Sequence, residues 1–468
     1  MKAHYDIVVV GAGPAGMTAA TIATGHGADV LLLDEQPGPG GQIYRSVTRS
    51  PLLDGDVLGA DYRQGRDLVA ALASSGAEYV PGASVWQVST EREIGVSVNG
   101  SARLLGADQV IIATGAQERP FPIPGWTLPG VMGAGGAQAL LKSAGLAAPG
   151  AVFAGTGPLL YLVANQYLKA GVPIRAILDT TPRENIRRAL AHLPGALLNA
   201  GELMKGRRWM SELRQAGVPF IKNVEELKLT GTDGLSGVEY RRGDPWTRID
   251  TDGVFLHQGV IPNLNLAMAA GCTHRWSDAQ LCWHALTDPW GETDLPGIAI
   301  AGDGAAINGA RAARHMGRIA ALGALHRCGR LGSRARDRLA APARRVLRKE
   351  IRVRAFLDAL FRPAPQFRVP GDGATLVCRC EEIDAARVRE AIALGGTDPN
   401  QVKGLTRSGM GPCQGRFCSS TISEMIANAR GVPVSEVGAL RLRAPVKPLL
   451  LGELATLSAG LPSSRETG

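Results

Sequence analysis

Twice along its 468 residues the chain runs from an apolar strand through a glycine turn into a helix and out into a second apolar strand. The first unit is DIVVVGAGPAGMTAATIATGHGADVLLLDEQ (6–36) and the second AVFAGTGPLLYLVANQYLKAGVPIRAILDTT (151–181). Such a unit folds as two parallel strands joined by a crossover helix, and its turn aims helix N-terminal N–H groups at a phosphate. In the first unit Gly11 permits the sharp turn and Gly13 lets backbone approach a pyrophosphate. Pro14 and Ala15 open the helix, and Gly16 lets it lie close on the sheet. Asp34, 23 residues after Gly11 and followed by Glu35, ends the second strand where an acid holds both hydroxyls of an adenosine ribose. NAD and FAD both fit such a site.

Later segments choose between them. GGQIYR (40–45) supplies a Gly41-Gln42 turn soon after the acid. VIIATGAQERPFPIPG (110–125) ends a strand at Thr114-Gly115, and LPGIAIAGDGAAINGARAARHMGRIAA (295–321) ends one at Gly302-Asp303 before a helix. In this order the segments resemble the two-dinucleotide-domain flavoproteins of the glutathione-reductase-like and thioredoxin-reductase-like type. That resemblance implies FAD at the first site, the Gly-Gly-Gln turn against the flavin and Asp303 on the ribityl chain. In the second unit Gly155 and Gly157 match the first two glycines, but Leu160 stands where the third is expected and should push the helix off the sheet or require a locally altered fit. Asp179, 24 residues after Gly155, still sits where a ribose would be held, so NAD(H) or another adenine nucleotide is the ligand to test there. No cysteine occurs in the first 271 residues, which excludes the redox disulfide of the disulfide reductases.

The cysteines come later, as Cys378-x-Cys380-x32-Cys413-x4-Cys418. Four thiolates in two local pairs suit a tetrahedral zinc or a 2Fe-2S cluster. A pair spaced by one residue is unusual for zinc, whose paired cysteines usually stand two to four residues apart. Gly409, Gly411 and Gly415 are expected to turn backbone N–H groups toward sulfur. CRCEE and GMGPCQGRFC resemble the bacterioferritin-associated-ferredoxin type of 2Fe-2S domain, which implies all four cysteines as cluster ligands. Cys272, Cys282 and Cys328 lack spaced partners.

The formal charge of +9 fits a nucleic-acid or membrane-surface protein only if the positive residues share a face. Instead Arg330–Arg368 gathers twelve basic residues against three acidic ones, which reads as a solvated helical connector, with docking to an acidic partner the alternative. Aromatic residues are few, so stacking surfaces for single-stranded nucleic acid are scarce. MKAHYDIVVVGAG leads straight into a strand and no apolar run nears the roughly 20 residues of a membrane span. The expected location is cytoplasmic, peripheral to the inner membrane only through partners.

The expected organisation is α/β throughout the first two thirds. It comprises an FAD-binding domain in two parts (1–125 and 253–329), a degenerate NAD-like domain (126–252), the basic connector (330–370), and a small helical 2Fe-2S domain with a tail (371–468). The whole chain resembles the α (A) subunits of heteromeric amine and amino-acid dehydrogenases: opine oxidase, D-hydroxyproline dehydrogenase and hydrogen cyanide synthase. The resemblance implies an FAD-containing catalytic β subunit that oxidises a substrate C–N bond, with this chain carrying electrons onward to a quinone or carrier. Some relatives add a small third subunit or an FMN trapped between subunits. Nothing in the sequence asks for acid–base catalysis, and no catalytic residue is assigned. Two rival readings are a self-contained NAD(P)H-dependent reductase and a structural or redox-sensing subunit.

Overall fold

The structure, a computed structural model, describes residues 1–53 and 55–457; the end of the expected tail, 458–468, lies outside the described residues. The first glycine unit folds as β1 (His4–Val10), the helix Pro14–Thr24 and β2 (Val30–Asp34), followed by β3 (Glu78–Pro81), β4 (Ser84–Val88), β5 (Glu93–Val98) and the long β6 (Ser101–Ile112). The sheet order is β3-β2-β1-β6-β5-β4. β1 and β2 alternate between two buried faces, with Ile7, Val9 and Leu32 in one core cluster and Val8, Leu31 and Leu33 in the other, because helices and loops cover both sides of a parallel sheet.

β7 (Ala116–Glu118) leaves this domain. The second comprises β8 (Val131–Gly133), β9 (Ala151–Thr156), β10 (Ile174–Asp179), β11 (Phe220–Lys222), an antiparallel layer β12 (Glu226–Gly231), β13 (Leu235–Arg241) and β14 (Trp246–Asp250), and then β15 (Val254–Gln258). Its parallel sheet has the order β11-β10-β9-β15-β8. Val254–Gln258, expected in the second part of the FAD domain, therefore belongs here: it is wholly buried and pairs with both β8 and β9. The chain returns through β16 (Val260–Pro262), antiparallel to β7, so two hydrogen-bonded strands join the domains. A hairpin of β17 (His274–Ser277) and β18 (Cys282–Ala285) follows, and β19 (Ile298–Ile300) closes the first sheet against the end of β6.

The basic connector is helical, as expected, but it is not a solvated spacer. Ser333–Leu360 forms one 28-residue helix. Its Ala340, Ala343 and Val353 are buried, and it packs both on the FAD-domain helix Ala310–Arg327 and on the second-domain helices Glu184–Leu190 and Leu193–Leu197. Its buried Glu350 takes Asn199 of the second domain (3.2 Å) and Arg311 of the first (3.4 Å). Helices Ala385–Ala393, Pro399–Thr406 and Ser419–Arg430 then enclose a separate small core of Val377, Ile383, Val388, Val402, Ile422 and Ile426. Among the described residues no helix is long and apolar enough to cross a membrane.

Candidate functional site

The first glycine turn has the tight geometry that its sequence demands. Gly11 has φ +106°, and a Cβ there would lie 2.5 Å from the Ala113 carbonyl oxygen; one on Gly16 would lie 1.8 Å from the Gly11 oxygen. Any side chain at Gly16 would therefore lift the helix from the strand. Pro14 is the first residue of that helix and Gly13 caps it with no side chain, leaving the N–H groups free for an anion. Asp34 is buried, accepting from the backbone of Ala12 (2.9 Å) and Gln36 (3.0 Å); burial pushes its pKa up and these two bonds oppose the shift. Glu35 is exposed and pairs with Lys447 of the C-terminal tail at 2.6 Å.

The other expected residues gather round this turn. Gly40 donates to the Ala12 carbonyl (2.8 Å), and a Cβ on Gly41 would meet Gly13 Cα at 2.9 Å, so the Gly-Gly-Gln turn lies against the phosphate turn. Gln42 accepts from Arg45 at 2.9 Å. Thr114 donates to the Asn263 carbonyl (3.1 Å) and Gly115 accepts from the Asn263 N–H (2.9 Å). Gly302 has φ +75° and packs on Ala15, while Asp303 accepts from the N–H groups of Asn308 (2.8 Å) and Gly309 (2.9 Å). Dense surroundings raise the Asp303 pKa although part of its surface stays accessible.

In the second domain Gly155 and Gly157 have φ +136° and +121°, and a Cβ on Gly155 would fall 1.7 Å from the His257 carbonyl oxygen, so the turn is built for glycine. Leu160 does not expel the helix Pro158–Lys169. It is fully buried in the core cluster that holds Phe153, Tyr167 and Phe255. Asp179 is buried and accepts the Thr181 N–H (2.9 Å); burial pushes its pKa up, and Thr181 and the nearby Tyr161 oppose the shift. Phe220 stacks on Tyr161 (5.9 Å between centroids).

The four expected cysteine ligands come together. Cys378 ends the strand Leu376–Cys378 and Cys418 precedes the helix Ser419–Arg430; both are buried, whereas Cys380 is exposed. The sulfurs pair in space as Cys378 with Cys418 and Cys380 with Cys413. Hydrogen bonding from the Cys418 thiol, together with the backbone N–H groups of Gly409, Glu381 and Cys380, holds the Cys378 thiol at about 6 against the opposing effect of burial. Of the three glycines, Gly409 thus turns an N–H to sulfur. Gly411 and Gly415 make room instead: their Cβ atoms would lie 2.3 Å from Cys380 Cβ and 2.4 Å from Leu440 Cδ2. Two thiol pairs are the ligand set of a two-iron cluster, one pair for each iron.

Residues that the motifs did not flag join the two centres. Asn265 donates to the carbonyls of Gln414 (3.0 Å) and Cys413 (3.4 Å), and Gln117 on β7 donates to the Arg416 carbonyl (2.5 Å). The second cysteine loop is therefore seated on the strand pair beside Thr114-Gly115, across a cavity of about 50 Å³ lined by Gln117, Asn265, Met268 and Gln414. Trp126 donates to the Leu376 carbonyl (2.8 Å) and lies under Arg379 (5.4 Å). At the other end of β7, Glu118 bonds His257 (2.7 Å) and the N–H of Gly135 (2.9 Å). A readable signal existed for His257: HQ closes an otherwise apolar strand, VFLHQ.

Residues 5–317 match the pyridine nucleotide-disulphide oxidoreductase family and residues 376–428 the BFD-like [2Fe-2S] binding domain. The α (A) subunit of opine oxidase from Rhizobium meliloti is 45% identical over 98% of this chain and 88% of its own length. The protein of the same name from Agrobacterium tumefaciens is 45% identical over 97% and 92%. The chain belongs to the family of opine oxidase α (A) subunits. Hydrogen cyanide synthase subunit HcnB of Pseudomonas protegens is 33% identical over 98% of each chain. Among solved structures, L-proline dehydrogenase from P. horikoshii has the same fold with a TM-score of 0.73 at 19% identity, covering 96% of this chain and 79% of that one. Thioredoxin reductase of T. acidophilum covers 69% of this chain and 99% of its own with a TM-score of 0.51 at 22% identity. As a member of the opine oxidase family the chain is an oxidoreductase subunit with FAD and a 2Fe-2S cluster. The uncapped first helix and its glycine cradle fit the one, and the gathered thiols fit the other.

Proposed function

We propose that this chain is the electron-transfer subunit of a heteromeric dehydrogenase that oxidises the C–N bond of an opine or of a secondary amino acid such as D-hydroxyproline. The substrate is oxidised in a partner flavoprotein, and a quinone or carrier accepts the electrons. The names of the relatives, subunits of opine oxidase and of hydrogen cyanide synthase, support the subunit reading and its substrate class. The observation that carries it is the seating of the Cys413–Cys418 loop on β7 and Asn265, beside the turn expected at the flavin.

When bound, a flavin takes two electrons together and can release them singly, and a 2Fe-2S cluster handles one at a time. The protein's own part is positional. Gln117 and Asn265 fix the ligand loop by its carbonyls, Gly409 stabilises negative charge on Cys378, and Gly11, Gly13 and Gly16 hold the cofactor's phosphates close to the sheet. Leu160, in place of the third glycine of the second turn, weighs against NADH as the electron source.

The test is co-purification with the product of the neighbouring open reading frame, followed by dye reduction with opines, hydroxyproline, proline, sarcosine and glycine. The complex should turn over one class, and this chain alone none. Substrate turnover by the isolated chain would overturn the assignment.

A further inference from the structure

Among the described residues, Lys142 is a buried cation with no acidic partner. It sits on the second-domain helix Ala134–Ala144, just 2% exposed, yet all three of its N–H groups are used. Nζ donates to the carbonyls of Gln42 (3.2 Å) and Ile43 (2.9 Å) and to Gln138 Oε1 (2.9 Å). Gln138 is itself held by Gln166 (2.8 Å), and the Tyr62 ring lies 5.5 Å from the ammonium. None of these partners is negative, and among the described residues Arg45, of like sign, is the charged group that acts on it. Buried charges are ordinarily paired, because desolvation is costly. The turn that Lys142 grips is the one packed on the phosphate turn through Gly40 and Gly41, where the dianionic pyrophosphate of FAD would lie.

We propose that Lys142 is a positioning residue for FAD: reaching over from the second domain, it clamps the Gly40–Ile43 turn against the phosphate turn and supplies positive charge that the cofactor's pyrophosphate balances. The FAD site is then completed by the neighbouring domain, which gives that domain a task independent of any nucleotide of its own.

A pH signature follows. In the protein without FAD, burial, with Arg45 adding, brings Lys142 down to about 7. A nearby anion raises it, so FAD binding takes up a proton and affinity declines as pH rises above about 7. The other titratable neighbours are Arg45, Tyr44 and Tyr62; burial pushes both tyrosines further above neutrality, so neither titrates between pH 6.5 and 8.5.

The experiment is FAD equilibrium binding to the full chain, read by flavin fluorescence at pH 6.5 and 8.5, for wild type, Lys142→Met and Lys142→Arg. Circular dichroism and the visible absorbance of the cluster report folding. Lys142→Met should bind FAD at least tenfold more weakly with the pH dependence gone, and Lys142→Arg should recover part of the affinity with an equally flat profile. Folded Lys142→Met with wild-type affinity and pH profile overturns the proposal. Should Lys142→Met not fold, an unaltered pH dependence in Lys142→Arg overturns it just as well. A wild-type chain that binds no FAD would overturn the cofactor assignment too, whereas FAD binding indifferent to residue 142 overturns only the role of the lysine.

Discussion

Leu160→Ala converts the second glycine turn into the Gly-x-Gly-x-x-Ala form that dinucleotide sites accept, and it separates two accounts of Leu160. If the leucine merely blocks a competent site, its removal should admit NADH. The structure places it instead at zero exposure in the core around Phe153, Tyr167 and Phe255. Removing a buried leucine costs about 2–5 kcal/mol, the higher values where surroundings cannot collapse. Edge-to-face rings pack this core, with Phe153 5.1 Å from Phe255 and 5.4 Å from Tyr167, so little relaxation is available and about 3–4 kcal/mol is expected. That is a factor of more than about a hundred in the local folded-to-unfolded ratio. Because Leu160 is part of the core rather than a plug in an open site, NADH should still not reduce the flavin. The assays are thermal unfolding by circular dichroism and anaerobic mixing with NADH, followed at the flavin band. A variant as stable as wild type that is rapidly bleached by NADH would refute the reasoning.

Gly16→Val should destabilise the first domain by about 1–3 kcal/mol and shed FAD, because its Cβ enters the space of the Gly11 oxygen; flavin content after gel filtration measures it. Cys413→Ser should abolish the visible absorbance and acid-labile sulfide of the cluster while leaving FAD bound. Glu424→Gln strands Arg368 in the buried contact beside the cluster domain, and a loss of about 3–5 kcal/mol should appear as an earlier first transition in a melt. Burial, with Arg275 adding, pushes His284 down to about 4, below its ordinary 6.5. The unfolded chain therefore takes up this proton first, and stability is lost as pH falls from about 6.5 to about 4, by on the order of 2 kcal/mol after solvent screening. Urea midpoints at pH 7 and 5 should converge in His284→Gln.

The turns were legible because each demands a residue that little else can replace: Gly11 for its φ and Gly16 for its contact could be read directly from spacing, as could four cysteines in paired loops. What escaped depends on non-local pairing. VFLHQ is short and buried on both faces, so no periodicity reveals that it lies between β8 and β9 and moves the domain boundary beyond 258. Lys142 is one lysine in an apolar helix, and its meaning depends on carbonyls a hundred residues earlier. Asp179 fits the ribose position by count, and only the fold reveals that it is buried and accepts the Thr181 N–H.

The helix Ser333–Leu360 is a rod of about 42 Å that acts as a splint across the break between the two nucleotide folds. Flexing at the paired strands β7 and β16 would have to strip Glu350 of Asn199 or Arg311 and pull Asn185 off the carbonyls of Leu360 and Arg362. The strand pair that carries the second cysteine loop is thereby stiffened from the opposite side of the molecule, by a helix that touches both folds it joins.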